Sequence, residues 1–261
     1  MYASNYLEEL ILNLLRGSSH SINIPGLYVA LFLSNPTDTG SAGTEISYSG
    51  YARQTIAFTT PAASGGGLEM HNSAEITFPE CSSGSNTVTY VGIFDSLSGG
   101  NMLLYGELSS SLIVQPGVSP VFRAGSLKWT WTGNLSTYYR TRIMNAVRRN
   151  LTATGFTPKI ALCNGDPTGT GSEFSGNNYS RISVSFTAPA QQTSGVAQTQ
   201  NSAEIVSAVS SGSWGNLTHL AIYDAASNGN CFAVIALSNT YTINTNSSVG
   251  FRAGALKFSI N

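Results

Sequence analysis

Phe122-Arg123-Ala124-Gly125-Ser126-Leu127-Lys128 returns near the end of the chain as Phe251-Arg252-Ala253-Gly254-Ala255-Leu256-Lys257. The same displacement of 129 residues lays Asn72-Ser73-Ala74-Glu75-Ile76 on Asn201-Ser202-Ala203-Glu204-Ile205, and Ile93-Phe94-Asp95 on Ile222-Tyr223-Asp224. Upstream the displacement is 128, setting Tyr51-Ala52-Arg53 over Tyr179-Ser180-Arg181, and near the start it is 133, setting Tyr6 over Tyr139. So many anchors at a nearly constant offset mean a tandem duplication, with a period far too long for a solenoid repeat. The expected domains are therefore 1–133 and 134–261, each of ordinary domain size.

Each copy opens with a helix signal. Asn5 is the expected cap with Glu8 completing a capping box, and Leu7, Leu10, Ile11, Leu14 and Leu15 form an apolar stripe ended by Gly17. In the second copy Ser136 or Thr137 caps a stripe of Tyr139, Ile143, Ala146 and Val147, with Arg140, Arg142, Arg148 and Arg149 on the other face. Strand-like runs follow in both copies. In the first they are Leu27–Leu33, Gln54–Thr59, Ala74–Phe78, Thr87–Phe94, Met102–Leu108, Leu112–Val114 and Val121–Trp131. Turn-rich segments such as Ser64-Gly65-Gly66-Gly67 separate the runs. About seven strands per copy predict a mainly β protein of two tandem β-sandwich domains, jelly-roll or Ig-like, each preceded by one N-terminal helix.

Composition narrows the function. Only 10% of the 261 residues are charged, against about 25% in an ordinary domain, and Ser, Thr, Asn and Gly fill the polar positions. A net charge of −1 does little to oppose self-association. The charge is unevenly divided: residues 1–133 carry four basic and nine acidic side chains, the remainder eight basic and four acidic, or −5 and +4. Two halves of opposite sign suit head-to-tail stacking of subunits. The expected interface residues are Arg140, Arg142, Arg148 and Arg149, set against an acidic face that includes Glu8 and Glu9. That arginine cluster lacks the aromatic interleaving and overall basic charge of a nucleic-acid surface.

No apolar run reaches the about 18 residues a membrane span needs, and Glu8 and Glu9 stand where a signal peptide would be basic. Cys81, Cys163 and Cys231 are isolated and odd in number, as expected of a protein made in a reducing compartment. The histidines His20, His71 and His219 do not recur between copies, and no zinc spacing, nucleophile elbow or phosphate loop is present, so neither metal nor cofactor is expected. The loops Asp38–Glu45 and Asp166–Glu173 lack the carboxylate ladder of a calcium site and read as solvated loops or intersubunit contacts.

The polar residues shared by both copies are Arg53/Arg181, Glu75/Glu204, Asp95/Asp224, Arg123/Arg252 and Lys128/Lys257. Their expected role is structural, holding strand ends through charge-assisted hydrogen bonds. Glu75 and Asp95 are the one carboxylate pair available for acid–base chemistry on a glycan.

The phrases Gly50-Tyr51-Ala52-Arg53-Gln54, Asn72-Ser73-Ala74-Glu75-Ile76-Thr77-Phe78-Pro79, Val91-Gly92-Ile93-Phe94-Asp95 and Phe122-Arg123-Ala124-Gly125 resemble a bacteriophage tail-fibre-like or minor virion structural protein module. The likeness covers most of copy one and, more loosely, copy two. It implies a β-rich fold, a particle-building role and no catalytic residue. The expected function is thus a non-enzymatic virion structural protein, made in the bacterial host cytoplasm. It would assemble in the tail, baseplate or neck, or decorate the capsid, bound to other virion proteins and to copies of itself. The alternative is a host-receptor module that binds surface glycan, with Trp214, Tyr138 and Tyr51 as candidate stacking rings; a polysaccharide depolymerase is the third reading.

Overall fold

The computed structural model describes residues 1–193 and 195–260. The chain is mainly β, and its two halves repeat one arrangement. In the first, a five-stranded antiparallel sheet runs in the order Tyr2–Ala3, Met102–Val114, Asn86–Phe94, Tyr28–Phe32, Gln54–Thr55. A three-stranded sheet combines Lys128–Trp131, Gly67–His71 and Ala62–Ser64, and a short ladder joins Ile76–Thr77 to Val121–Phe122. The second half repeats these with a large sheet around Lys159–Asn164, Gly215–Tyr223 and Cys231–Ile243. Its small sheet is Ala190–Gln191, Ala197–Gln200 and Lys257–Ile260.

Two strand expectations are corrected. Met102–Leu108 and Leu112–Val114 are one strand, Met102–Val114, bent where its register against Asn86–Phe94 slips between Val88 and Tyr90. An equivalent slip occurs between Leu217 and His219, so the bend is built into both copies. The run Val121–Trp131 is instead two strands with different partners, Val121–Phe122 on Ile76–Thr77 and Lys128–Trp131 on Leu68–His71. The spacer at Ser64–Gly67 is the turn of a hairpin, with Gly65 and Gly66 both at positive φ, 54° and 80°. Two successive positive φ values are what a two-residue hairpin connection demands.

Helix α1 spans Asn5–Asn13 and helix α2 spans Thr137–Val147. Ser4, not Asn5, caps α1: its Oγ accepts the Leu7 N–H at 3.3 Å and donates to the Met102 carbonyl, pinning the helix start to the long strand. Ser136 caps α2 in the same way, accepting from Tyr139 N–H at 3.3 Å and donating to the Cys231 carbonyl. With the cap at Ser4, Glu8 falls one position beyond the place a capping box requires, and its side chain goes elsewhere.

The helices lie between the halves. α1 packs on Met102–Val114 of its own half and on Ala197–Gln200 and Lys257–Ile260 of the other. α2 packs on Cys231–Ile243 and, across the junction, on Gly67–His71. Beside them Ser21–Ile22 pairs antiparallel with Ala153–Thr154, joining corresponding segments of the two copies about a pseudo-twofold axis. Leu7, Ile11, Leu12, Ile143, Met144 and Val147 are fully buried in one apolar core that runs through both halves. A continuous core predicts that Ile143→Ala, which leaves a cavity at this junction, costs about 2–5 kcal/mol. It also predicts one cooperative melting transition. Calorimetry checks this: two separable transitions would show independently stable halves.

Candidate functional site

Asn72 and Asn201, each 1% exposed, organise the repeated phrases. Asn72 Nδ2 donates to the carbonyls of Ala74 and Arg123, both at 2.8 Å, and Oδ1 accepts the Leu127 N–H at 2.9 Å. Its backbone bonds Leu127 O and Gly125 N–H as well. Asn201 makes the same contacts with Ala203, Arg252, Leu256 and Gly254. The turn it grips needs Gly125 and Gly254, at φ 81° and 75°. Both repeated strings are therefore two sides of one clamp. The shared side chains Glu75, Glu204, Arg123, Arg252, Lys128 and Lys257 are exposed on it; Lys128 approaches Glu69 at 3.5 Å.

The second duplicated network centres on Arg53. Its Nε and Nη2 meet Glu45 in a fork at 2.9 and 2.8 Å, while Nη1 donates to Ser96 O at 3.0 Å and Gly99 O at 2.7 Å. The guanidinium lies 3.7 Å over the Phe94 ring. Tyr51 bridges Glu45 to the Leu31 N–H; burial and the neighbouring carboxylate hold its hydroxyl protonated far above the ordinary range. Arg181, Glu173, Tyr179, Tyr223 and Leu162 repeat every contact. The loop so gripped is closed from inside by Asp95, whose two oxygens accept from Asn101 N–H at 2.7 Å and Nδ2 at 2.9 Å. Asp224 does the same with Asn230. A Cβ on Gly100 would stand 2.4 Å from Asp95 Oδ1, so only glycine fits.

These contacts settle where the sequence candidates lie. Glu45 and Glu173, expected in solvated loops, are instead the acids of the two ion pairs. Asp95 is engaged inside its hairpin loop and Glu75 is exposed beside the Asn72 clamp, on a different element. Trp214 is 8% exposed, with its Nε1–H donating to Asn177 O at 3.0 Å, and Tyr51 is committed to its network. Of the three candidate stacking rings, Tyr138 is the one that stands out, 47% exposed.

Apart from Arg142, the expected interface residues make hydrogen bonds within the chain. Arg148 Nε donates to Phe58 O at 3.2 Å and Arg149 Nε to Ile24 O at 3.1 Å, both in the first half. Arg140 Nη1 donates to Trp131 O at 3.2 Å; Arg142 is half-buried on the same helix. These partners are carbonyls, not the carboxylates expected from the charge division. Glu8 is 1% exposed, so it is not available to a second subunit. Its Oε2 accepts the Ala197 N–H of the other half at 2.9 Å, and Glu9 takes Gln191 Nε2 at 3.1 Å. Burial foremost, with Asp38 and Glu9 nearby, raises the Glu8 carboxyl to about 7.

Among the described residues, no group of three His, Cys, Asp or Glu side chains is placed to hold a metal, and no helix is long and apolar enough to cross a membrane. Burial pushes the Cys163 and Cys231 thiols up to about 12, which makes them poor nucleophiles. Compared with known proteins, the chain matches the family model described as podophage GP4 fiber I protein gp80 twice, over residues 2–130 and 134–259. No curated protein matches it.

Two outcomes are expected. Asn72→Ala and Asn201→Ala strand buried donors and acceptors of the clamp and each cost about 2–4 kcal/mol in chemical denaturation, whereas the exposed Glu75→Ala and Arg123→Ala stay within about 0.5 kcal/mol. Equal effects would remove the clamp from the account. For Glu8, the folded state holds its proton more tightly than the unfolded chain, so its contribution is lost as pH rises from about 4.5 to about 7. Glu8→Gln, which keeps an acceptor for Ala197, therefore raises the melting temperature at pH 8 more than at pH 4, read from paired thermal melts.

Proposed function

Because the chain belongs to the family of the podophage GP4 fiber I protein gp80, we propose that it is a non-enzymatic subunit of a bacteriophage fibre, mounted at the tail, baseplate or neck of the virion. The observation that carries this reading is the double family match, which takes in both halves and almost the whole chain. The polar residues common to the halves support it. Arg53, Arg181, Asp95 and Asp224 build loops, and Asn72 and Asn201 build turns; none of them is grouped around a shared cleft.

Contacts with other virion proteins and with further copies of the chain use the surfaces the pseudo-twofold core leaves uncovered. Ile113 and Tyr241, 59% and 52% exposed, lie near the far ends of the two longest strands. Val206 and Val209, 52% and 55% exposed, lie at or just beyond the short ladder of the second half. Opposite net charges on the halves favour a head-to-tail arrangement, with the half-buried Arg142 and the exposed Arg149 as the arginines best placed to reach a neighbour.

Mass spectrometry of gradient-purified particles is expected to find the chain at defined stoichiometry, and labelled antibody in electron micrographs is expected to mark the tail, baseplate or neck. Absence from purified virions overturns the structural role; label over the capsid surface overturns the placement.

A further inference from the structure

The outer face of each large sheet, turned away from the shared core, is where the two copies differ most. In the first half Tyr2 pairs with Tyr105, Glu107 follows two residues along the same strand, and Tyr90 lies directly opposite Glu107. The alternation of a strand puts these four side chains on one face, with Tyr90 and Tyr105 as diagonal neighbours. The register of the second half puts Asn134, His219, Val234 and Ala236 at the same four positions. That half builds the same sheet without any of the three phenols and without the acid. The fold therefore does not require them.

Tyr2, Tyr90, Tyr105 and Glu107 line a pocket of about 390 Å³, within the range of small-molecule sites. Two of its rings are held in place. Tyr90 and Tyr105 pack against the cluster of Ala30, Phe32, Phe94 and Met102, and the Tyr105 hydroxyl donates to Asp38 Oδ1. Tyr2 adds the third ring, its centroid 5.9 Å from that of Tyr105, and it is 66% exposed. The edge strand reaches only to Tyr2, so Glu107 stands at an uncovered corner, and among the described residues it forms no ion pair. Negative charge surrounds the pocket: Glu107, Asp38 at the Tyr105 hydroxyl, and Glu69, which accepts from the lining Thr130. The nearby cations already have partners. The terminal ammonium of Met1 donates to the Lys128 carbonyl at 3.0 Å, and Lys128 approaches Glu69 at 3.5 Å.

We propose that this pocket binds a quaternary ammonium group, its methyl groups against Tyr2, Tyr90 and Tyr105 and its charge beside Glu107. Phenol rings attract a cation that comes within about 6 Å of the ring centre, and the attraction grows where water is excluded. The lining selects among cations. A primary ammonium or a guanidinium needs an acceptor for each of its N–H groups, and acceptors are scarce here. Asn35 Oδ1 already takes the Thr37 N–H at 2.8 Å, and Thr130 Oγ1 is spent on Glu69. A quaternary group has no N–H to satisfy, so burying it among rings strands no donor. An anion meets Glu107 and Asp38 and is repelled. The binding does not depend on the fibre reading.

The test uses the full chain, titrated with choline at millimolar concentration and followed through the proton NMR signal of the choline methyl groups. The control is neopentylcarbinol, the uncharged isostere with carbon in place of nitrogen. Choline is expected to bind about tenfold more tightly than this isostere. Tyr2→Ala and Glu107→Gln are each expected to weaken choline about fivefold, while Tyr2→Phe, which keeps the ring, retains it. Both positions are exposed, and unchanged melting temperatures report an intact fold. Co-sedimentation with vesicles separates two sources of the group. Pelleting with phosphatidylcholine but not phosphatidylglycerol assigns a lipid headgroup, and choline binding without pelleting assigns a soluble amine. Absence of choline binding, equal binding of the isostere, or binding that survives both Tyr2→Ala and Glu107→Gln overturns the proposal. Such a result leaves the fibre role standing if the chain is present in virions.

Discussion

Both helices are covered from two sides, by the long strand of their own half and by the small sheet of the other, and the rest of the architecture depends on this exchange. A nine-residue helix such as α1 has marginal stability alone and takes its stability from tertiary packing. Leu7, Ile11 and Leu12 supply that packing only when Ala197–Gln200 and Lys257–Ile260 are present. The second copy is thus part of the first copy's interior, and the duplication behaves as an isologous dimer joined in one chain. The pairing of Ser21–Ile22 with Ala153–Thr154 places the axis of that dimer.

The exchange is not perfectly symmetric, and the departures carry chemistry. Glu8 enters the junction from α1 and accepts from the first residue of the central strand of the other half's small sheet. The residue at the matching point of α2, four past the Ser136 cap, is Arg140, which brings the opposite charge and donates to Trp131 O. Arg148 and Arg149, just past the end of α2, likewise send hydrogen bonds to carbonyls of the first half, where they satisfy acceptors that no strand partner reaches. The net charges of −5 and +4 are therefore partly a property of this internal junction, because several of the residues that create them face it.

The duplication, both helices and most strands were legible because they rest on local signals: a repeated string, a 3.6-residue stripe, an alternation. What the sequence hid were partners distant along the chain. The alternation of Val121–Trp131 continues smoothly although the strand changes sheets at the clamp, since side-chain period reports a face and not a neighbour. Glu45 reads as a loop acid until the fold brings Arg53 to it in fork geometry. The clamp was half legible: both strings were plain, but only the fold shows that Asn72 binds one to the other. The difference between the outer sheet faces was hidden in the same way, because a small residue in place of a large one acquires meaning only when the register aligns Val234 with Tyr105 and Cys163 with Phe32.

Divergence between the copies follows the physics of the scaffold. The Asn clamps, the Arg–Glu–Tyr networks and the glycines beneath them recur because removing any one strands a buried polar partner or collides a Cβ with backbone or carboxylate. The outer sheet faces are different. Ala30, Phe32, Phe94 and Met102 form a small cluster separate from the main core, as do Ala161, Cys163 and Ala221. Side chains there can shrink without opening a cavity in the core that both halves share, so the cost of a smaller residue falls on a satellite cluster and not on the helices. A duplicated scaffold of this kind can keep one copy filled and hollow the other. The hollow forms beside the α2 N-terminus, lined by the capping Ser136, by Arg140 and by the exposed Tyr138, and it leaves the shared core behind it intact.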